Sequence, residues 1–98
     1  MAAKKSKSKK LQFGNLTVYQ RYGSLHNDRG PAYIDSNEQI FQYYRYGKLH
    51  RENGPAYINK KYGYHGWYLN GKQYQFSDWC KITSLDKDRL AMLILTHD

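Results

Sequence analysis

Two histidines in this chain of 98 residues are each followed, two positions later, by an acidic residue. His26 precedes Asp28, and His50 precedes Glu52. A carboxylate beside an imidazole suits general acid–base catalysis, and imidazoles also bind metal ions. Both pairs, however, occupy the same position in two copies of a 24-residue repeat. A repeated scaffold needs the same residue in each unit, whereas a catalytic site does not. We therefore interpret both histidines as structural residues that pack or form hydrogen bonds within their turns.

Cys80, the only cysteine of the chain, lies in a segment with no neighbouring base that could activate it as a nucleophile. A buried structural thiol is the preferred interpretation. One cysteine and four scattered histidines match no zinc-ligand spacing (His26, His50, His65 and His97). The glycines fall singly at turn positions and form no phosphate-binding loop. We predict a protein that is not an enzyme, with no catalytic residue, no metal and no cofactor.

The repeat is the clearest pattern in the sequence. A shift of 24 residues aligns residues 19–34 with residues 43–58, and eleven of the sixteen positions are identical. A further shift aligns Tyr43 with Trp67 and Gly47 with Gly71, which makes the third copy a half repeat. Units of fixed length that recur along a chain stack on one another and share a core. The sequence therefore predicts a stacked array of about two and a half units.

Each unit has the pattern of antiparallel β-structure, because the chain is rich in tyrosine and other residues that favour strands. Aromatic runs end at Gly23-Ser24, Gly47-Lys48 and Asn70-Gly71, which suit two-residue hairpin turns. A second reversal follows in each full unit, where Gly30 or Gly54 is expected to supply a left-handed residue before the proline. The predicted fold is mainly β, an antiparallel meander of hairpin repeats followed by short C-terminal α-helices.

The two ends of the chain differ from the repeats. Residues 1–10 contain only Ala, Lys and Ser after Met1, and they are predicted to be a disordered tail. Ser77 is a candidate N-cap for a short helix over residues 78–82, and Ser84 for a second helix with an apolar run at residues 90–95. We therefore divide the chain into a tail at 1–10, a β-repeat domain at 11–75 and a helical cap at 76–98 that packs on the sheet.

The second unit and the half repeat carry a defined motif. It consists of Gly-Lys-Leu-His-Arg at residues 47–51, Gly-Pro-Ala at residues 54–56, and Trp67, Tyr68, Asn70 and Gly71. These residues resemble the MORN-repeat variants, and more closely the G-K-L-H-R-x-x-G-P-A repeats of small phage and giant-virus proteins. The resemblance covers about residues 16–74, although Ser24 and Asn27 replace the Lys and Arg of the motif in the first unit. It implies a β-meander scaffold that serves as an interaction or membrane-proximal module, and it brings no catalytic motif.

The net charge of +8 is concentrated at the start of the chain. The first ten residues contain no acid and five lysines: Lys4, Lys5, Lys7, Lys9 and Lys10. Such a cluster attracts phosphates or any acidic surface, with binding that weakens steeply in salt, although a solubilising tail explains it equally well. A single cysteine suits a reducing compartment, and no apolar run reaches the length of a membrane span. We expect a soluble protein of the cytoplasm, which is the host cytoplasm if the protein is viral.

A row of aromatic residues beside arginines is the strongest candidate for a binding surface. Strand alternation places Tyr19, Tyr43 and Trp67 on one face of the sheet, with Arg21 and Arg45 beside them. The opposite face carries a second aromatic row that includes Tyr44 and Tyr68. Because the sheet has two faces and one helical cover, we expect one aromatic row to be exposed.

Exposed aromatic rings with arginines contact proteins or stack on bases. The leading hypothesis is a small non-enzymatic interaction module, a phage or viral accessory protein that binds an acidic host protein; no small-molecule substrate is inferred. The alternatives are a nucleic-acid-binding protein that stacks bases on its tyrosines, and a peripheral membrane or virion-associated structural protein. The residues expected to bind the partner or an anion are Lys4, Lys5, Lys7, Lys9, Lys10, Tyr19, Arg21, Tyr43, Arg45, Arg51 and Trp67.

Overall fold

The computed structural model describes residues 8–83, which form ten β-strands and one short α-helix. The elements are β1 (Lys9–Phe13), β2 (Leu16–Arg21), β3 (Ser24–Leu25), β4 (Tyr33–Asp35), β5 (Ile40–Gln42), β6 (Tyr44–Arg45), β7 (Lys48–Leu49), β8 (Tyr57–Asn59), β9 (Tyr64–Leu69), β10 (Lys72–Tyr74) and α1 (Phe76–Thr83). This is a mainly β structure, as the aromatic and β-branched runs predicted.

The strands form an antiparallel sheet in which most neighbours are consecutive in the chain. The order is β1-β2-β4-β5-β8-β9-β10, with β3 paired to the end of β2 and with β6 and β7 as a separate hairpin. The register runs across the sheet from Thr17 to Ile34, Phe41, Ile58 and His65. The prediction of a mainly β, meander-like antiparallel fold followed by a short helix is confirmed.

The register separates the side chains onto two faces, because successive residues of a strand point to opposite sides. We call the side with Thr17, Phe41 and His65 the helix face, since α1 packs on this side through Trp67, two residues after His65 in β9. The opposite side is the tyrosine face, defined by Tyr33, Tyr44, Tyr57, Tyr64 and Tyr68.

The most deeply buried aromatic residues lie on the helix face. Trp79 of α1 is fully buried, and its ring centre lies 4.7 Å from that of Trp67. Phe76 completes the group, with its ring centre 4.6 Å from Trp67. The indole Nε1–H of Trp79 also donates a hydrogen bond to the carbonyl of Arg51 at 3.0 Å, which fixes the helix to the loop after β7. The helix begins at Phe76, so Ser77 lies inside its first turn and is not the predicted N-cap.

The hairpin turns of the three copies share one conformation. Tyr22-Gly23, Tyr46-Gly47 and Asn70-Gly71 all have positive φ at both positions, which defines the type I′ turn of a two-residue hairpin. The prediction was correct for Asn70-Gly71 and wrong by one residue for the first two turns, because the tyrosine itself adopts the left-handed conformation. The glycine follows it as the second turn residue.

Gly54 is needed for a different reason from the predicted one, since neither it nor Gly30 has a positive φ. A Cβ atom at Gly54 would lie 2.7 Å from the guanidinium carbon of Arg51. The glycine therefore makes room for the arginine side chain, whose Nη1 donates to the carbonyl of Pro55 at 3.1 Å. In the first unit Asn27 replaces the arginine and donates to the carbonyl of Pro31 at 3.0 Å.

The sheet includes the end of the predicted tail. Lys9 and Lys10 lie in β1 and pair with Gln20 and Tyr19 of β2. The last strand ends at Tyr74, and α1 begins two residues later at Phe76. The rest of the predicted tail and the second predicted helix lie outside the described residues.

Candidate functional site

His26 joins the first unit to the second. Its Nδ1 accepts a hydrogen bond from the backbone N–H of Tyr46 at 3.0 Å, across 20 residues of chain. The carbonyl of the preceding residue, Leu25, accepts from the backbone N–H of Gly47 at 2.8 Å. These two bonds fix the turn of the second hairpin on the first unit, and the ring of Tyr46 lies 4.2 Å from that of His26.

The second unit binds the half repeat in the same way. Nδ1 of His50 accepts from the backbone N–H of Asn70 at 2.9 Å, and the carbonyl of Leu49 accepts from Gly71 at 2.8 Å. The third turn has Asn70 where the second turn has Tyr46, so no aromatic ring of this turn residue lies against the imidazole of His50. The constant part of the contact between units is therefore this pair of hydrogen bonds, one to the histidine Nδ1 and one to the leucine carbonyl.

The other ring nitrogen of each histidine is also occupied. Nε2 of His26 lies 2.9 Å from a carboxylate oxygen of Asp28, and Nε2 of His50 lies 3.0 Å from Glu52. Since each Nδ1 accepts a backbone N–H, the neutral ring carries its hydrogen on Nε2 and donates it to the carboxylate. Both nitrogens serve the fold, which agrees with the structural interpretation. Within residues 8–83 no group of three or more His, Cys, Asp or Glu side chains is placed to hold a metal ion.

The two arginines predicted to flank the aromatic row contact these same carboxylates. Arg21 lies 3.6 Å from Asp28, and Arg45 lies 3.7 Å from Glu52. Arg21 is mostly buried, with 17% of its side chain exposed, whereas Arg45 is half exposed. The charges of both arginines are partly balanced by carboxylates of the same repeat, so an anionic partner would have to compete with these ion pairs.

The row Tyr19, Tyr43 and Trp67 does lie on one face, as predicted, but α1 and the loops cover much of it. Trp67 is only 8% exposed beneath α1. The guanidinium of Arg51 lies over the ring of Tyr43 at 3.9 Å. Burial lowers the pKa of Arg51, which still remains a cation. Tyr19 is half-buried beside Lys10. The row therefore does not form the continuous exposed surface that the sequence suggested.

In the described part of the chain, the aromatic row that α1 leaves uncovered is the one on the tyrosine face. Within residues 8–83 the only helix packs on the other side of the sheet. The five tyrosines of this face come from β4, β6, β8 and β9, and the rings of Tyr57 and Tyr64 meet edge to face at 5.6 Å. Burial, together with the neighbouring phenols of Tyr33 and Tyr57, raises the pKa of Tyr44. Burial likewise raises the pKa of Tyr68. Both phenols stay protonated at neutral pH, and the hydroxyl of Tyr44 donates a hydrogen bond to Gln42.

Gly66 of β9 leaves the space that three of these rings occupy. A Cβ atom at this position would lie 2.8 Å from Cε1 of Tyr68 and 3.4 Å from both Cβ of Tyr57 and the hydroxyl oxygen of Tyr64. The tyrosine rings therefore fill the space that a side chain at residue 66 would need. Tyr64 is fixed further by the side-chain amide of Gln73, which donates to its hydroxyl oxygen at 2.9 Å.

The tyrosine face is nearly free of charge. By strand alternation, the charged side chains that its described strands place on this side are Lys9 and Asp35. Asp35 accepts the backbone N–H groups of Asn37 and Glu38, each at 3.1 Å, and so stabilises the turn after β4. The apolar residues of the face are Leu11, Phe13, Leu16, Val18, Leu25, Ile40 and Leu49.

Sequence reasoning assigned Tyr44 and Tyr68 to this face but did not identify Tyr33, Tyr57 and Tyr64 as members of the same group. The signal was present, because Tyr33 and Tyr57 are equivalent residues of the repeated Ala-Tyr-Ile segment. Their register opposite Gln42 follows from the turn lengths of the hairpins, which the sequence did not define. The helix position that decides which face is covered was also unknown.

Positive charge lies at the β1 edge of the sheet. Lys9 and Lys10 are exposed on β1, while Lys4, Lys5 and Lys7 lie outside the described residues. Most acids of the described part are engaged: Asp28 and Glu52 with histidine and arginine, and Glu38 with Lys61 at 3.3 Å. Asp78 lies in the first turn of α1, where the helix dipole favours a negative charge. The lysines of β1 have no carboxylate partner among residues 8–83.

No family model, no curated protein and no solved structure matches this chain. In the described part of the chain no helix is long and apolar enough to cross a membrane.

Proposed function

We propose that the protein is a small non-enzymatic interaction module that binds an acidic protein partner. In this proposal the chain is a phage or viral accessory protein that acts on a host protein in the host cytoplasm. Its scaffold is a MORN-like array of about two and a half repeats with a helical cap. The Lys-rich start attracts the partner, and the uncovered face of the sheet provides the contact surface.

The observation that supports this proposal is the imbalance between engaged acids and unpaired lysines. The fold uses Asp28, Glu52 and Asp35 for its own turns and contacts between units. The lysines of β1 have no such partner in the described part of the chain, and the chain keeps a net charge of +8. A surplus of unpaired cations beside an uncovered aromatic face suits a partner that brings carboxylates.

The test is a titration of the full chain with a labelled polyglutamate peptide, followed by fluorescence anisotropy across a salt series. Replacing Lys4, Lys5 and Lys7 with Ser removes tail charge and leaves β1 intact. The control replaces Arg29, Lys60 and Lys81 with Ser, which removes the same charge elsewhere. We expect the tail variant to bind about tenfold more weakly and the control to lose less, because local charge density sets the attraction. Absence of polyglutamate binding by the full chain at low salt would reject the proposal.

Nucleic-acid binding is a second candidate, favoured by the residues at the hairpin turns. The rings of Tyr22 and Tyr46 are 81% and 55% exposed. The guanidinium of Arg21 lies 5.4 Å from the first ring and 5.8 Å from the second. Exposed rings beside a cation are able to stack on unpaired bases.

A labelled single-stranded oligonucleotide of the same charge as the polyglutamate peptide distinguishes the two candidates. If the oligonucleotide binds more tightly, and if Tyr22→Ser weakens it without affecting polyglutamate, the nucleic-acid function takes precedence. The label must be on the ligand, because Trp67 and Trp79 are buried between the sheet and α1 and their emission would report poorly on either surface.

A further inference from the structure

Among the elements of residues 8–83, none forms a second layer on the tyrosine face. Domains bury one face of a sheet against helices or another sheet. In residues 8–83 α1 and its tryptophans cover the helix face, and no element covers the other side. On the tyrosine face Tyr64 is exposed, the rings of the other four tyrosines are partly buried, and leucine, isoleucine and valine side chains lie among them. An apolar and aromatic surface of this kind is typical of a contact region.

The hydroxyl groups of this face show what a partner must supply. Tyr44 donates its hydroxyl hydrogen to Oε1 of Gln42 at 2.8 Å, so its hydrogen-bonding capacity is used within the chain. Within residues 8–83 the hydroxyls of Tyr33, Tyr57 and Tyr68 form no hydrogen bond to another group of the protein. These three phenols are O–H donors set among apolar side chains, and residues 8–83 offer them no acceptor.

Carboxylates are the acceptors that match this face best. An O–H donor forms a shorter and stronger hydrogen bond to an ionised oxygen than to a neutral one. The one acid that the described strands place on this face, Asp35, accepts the backbone N–H groups of Asn37 and Glu38 and offers little repulsion. Lys9 at the edge of the face, and the lysines that precede it, add attraction for negative charge.

We infer that the tyrosine face binds an acidic amphipathic helix of a partner protein, whose apolar residues pack on the leucines and rings and whose carboxylates accept hydrogen bonds from Tyr33, Tyr57 and Tyr68. This inference rests on the proposed function, since it specifies how the acidic partner is bound. A helix is the simplest element that supplies a second layer from one short segment, and it presents apolar and acidic residues along one side at intervals of three and four.

A second copy of this chain is a poorer occupant. Two tyrosine faces in contact would bring two molecules of net charge +8 together. They would also place phenols opposite phenols, and the carboxylate of Asp35 on each face already accepts from backbone N–H groups. An acidic helix would bring negative charge to this positively charged protein, and its carboxylates would accept hydrogen bonds from the phenol O–H groups.

The experiment uses the full chain and a labelled helical peptide with leucines spaced three and four residues apart and glutamates between them. A peptide with the same composition in scrambled order lacks the amphipathic face, and a third peptide has Gln in place of every Glu. We expect the designed peptide to bind most tightly. Tyr57→Phe and Tyr68→Phe should each weaken it about fivefold, because each removes one charge-assisted hydrogen bond while keeping the ring.

Tyr44→Phe is the matched control, since its hydroxyl already donates to Gln42. It should change the affinity for the designed peptide less than twofold. The binding surface is located independently by amide chemical shifts, which should change along β4, β8 and β9 when the designed peptide is added.

Other outcomes separate the inference from the function on which it rests. If designed and scrambled peptides bind equally, and only the tail variant weakens them, the protein binds acidic partners but the helix inference is wrong. If neither peptide nor polyglutamate binds, the proposed function itself fails. If light scattering shows a dimer that Tyr57→Phe dissociates, a second copy occupies the face and the inference is overturned.

Discussion

The backbone N–H of Tyr46 donates to Nδ1 of His26 at 3.0 Å, so a side chain of one unit holds the turn of the next. His50 repeats the contact with Asn70 at 2.9 Å. The repeated histidine is thus the joint between neighbouring hairpins, and the acid two residues later fixes its ring through Nε2. This explains why two residues with the chemistry of a catalytic pair recur once in each full unit.

His26→Ala should lower the free energy of unfolding by about 2–4 kcal/mol, because it removes a buried ring and leaves the backbone N–H of Tyr46 without its acceptor. The imidazole is 1% exposed, so water cannot replace it without opening the contact between units. Urea denaturation measures the loss. Arg45→Ala is the control, since its pair with Glu52 is exposed and should contribute at most about 1 kcal/mol. Equal losses for both variants would contradict the joint role of the histidine.

Most of the fold could be predicted from the sequence, because the strongest sequence signals for it are local. The fixed repeat, the aromatic runs and the Asn-Gly turn predict hairpins without any knowledge of long-range contacts. The errors arose where a contact overrides a local preference. Tyr46 adopts a left-handed conformation that disfavours bulky residues, and its ring lies against His26 of the preceding unit. Gly54 is explained by Arg51, a neighbour that sequence spacing does not reveal.

The candidate surface was harder to predict from the sequence than the fold. Alternation correctly placed Tyr19, Tyr43 and Trp67 on one side, but the packing of α1 decides which side is covered. That packing depends on Trp79, whose contact with Trp67 joins residues that lie in different elements. A pattern of two aromatic faces cannot show which one the helix selects, because both are apolar enough to receive it.

Tyr22→Asn should raise the free energy of unfolding by about 0.5–1 kcal/mol, because asparagine tolerates a left-handed backbone better than tyrosine does. Tyr22 has φ of 54°, and its ring is 81% exposed, so little packing is lost. Tyr46→Asn is the comparison, since it relieves the same strain but loses the ring against His26, and it should bring no gain. Urea denaturation of both variants checks the difference. A loss of stability in Tyr22→Asn would show that the exposed ring supports the fold.

His65 should make the protein less stable in mild acid. Burial lowers its pKa below the ordinary value of 6.5, so the unfolded chain takes up a proton at a higher pH than the folded protein does. The free energy of unfolding therefore falls as the pH decreases from 6.5 toward the folded-state pKa, and this group contributes no change above that window. Thermal unfolding of the protein and of His65→Gln, measured between neutral pH and mild acid, should show a smaller decrease in the variant. An unchanged decrease would assign the effect to other groups.

Cys80 should react slowly with alkylating reagents in the folded protein. Burial raises the pKa of its thiol, so the reactive thiolate is scarce at neutral pH. The rate of iodoacetamide modification near pH 8, followed by mass spectrometry, should be lower for the native chain than for the same chain in urea. The native rate should continue to rise at pH values where the rate of the unfolded chain has levelled off. Equal rates in both states would show that the thiol is freely available.

Gly66→Ala should disturb the tyrosine face while leaving every tyrosine in the sequence. The added Cβ atom would lie 2.8 Å from the ring of Tyr68, and it is also close to Tyr57 and Tyr64. The ring of Tyr68 must therefore move, and crowding of this kind costs about 1–3 kcal/mol of stability. Urea denaturation measures this cost, and aromatic proton chemical shifts should show the movement of the ring.

Gly63→Ala is a contrasting variant, because no atom lies within 4 Å of an added Cβ there, although its φ of 71° brings backbone strain. If both variants lose stability but only Gly66→Ala shifts the tyrosine resonances and weakens binding of the acidic helical peptide, the arrangement of the rings determines the affinity. Unchanged binding in Gly66→Ala would show that the positions of these rings do not contribute to it.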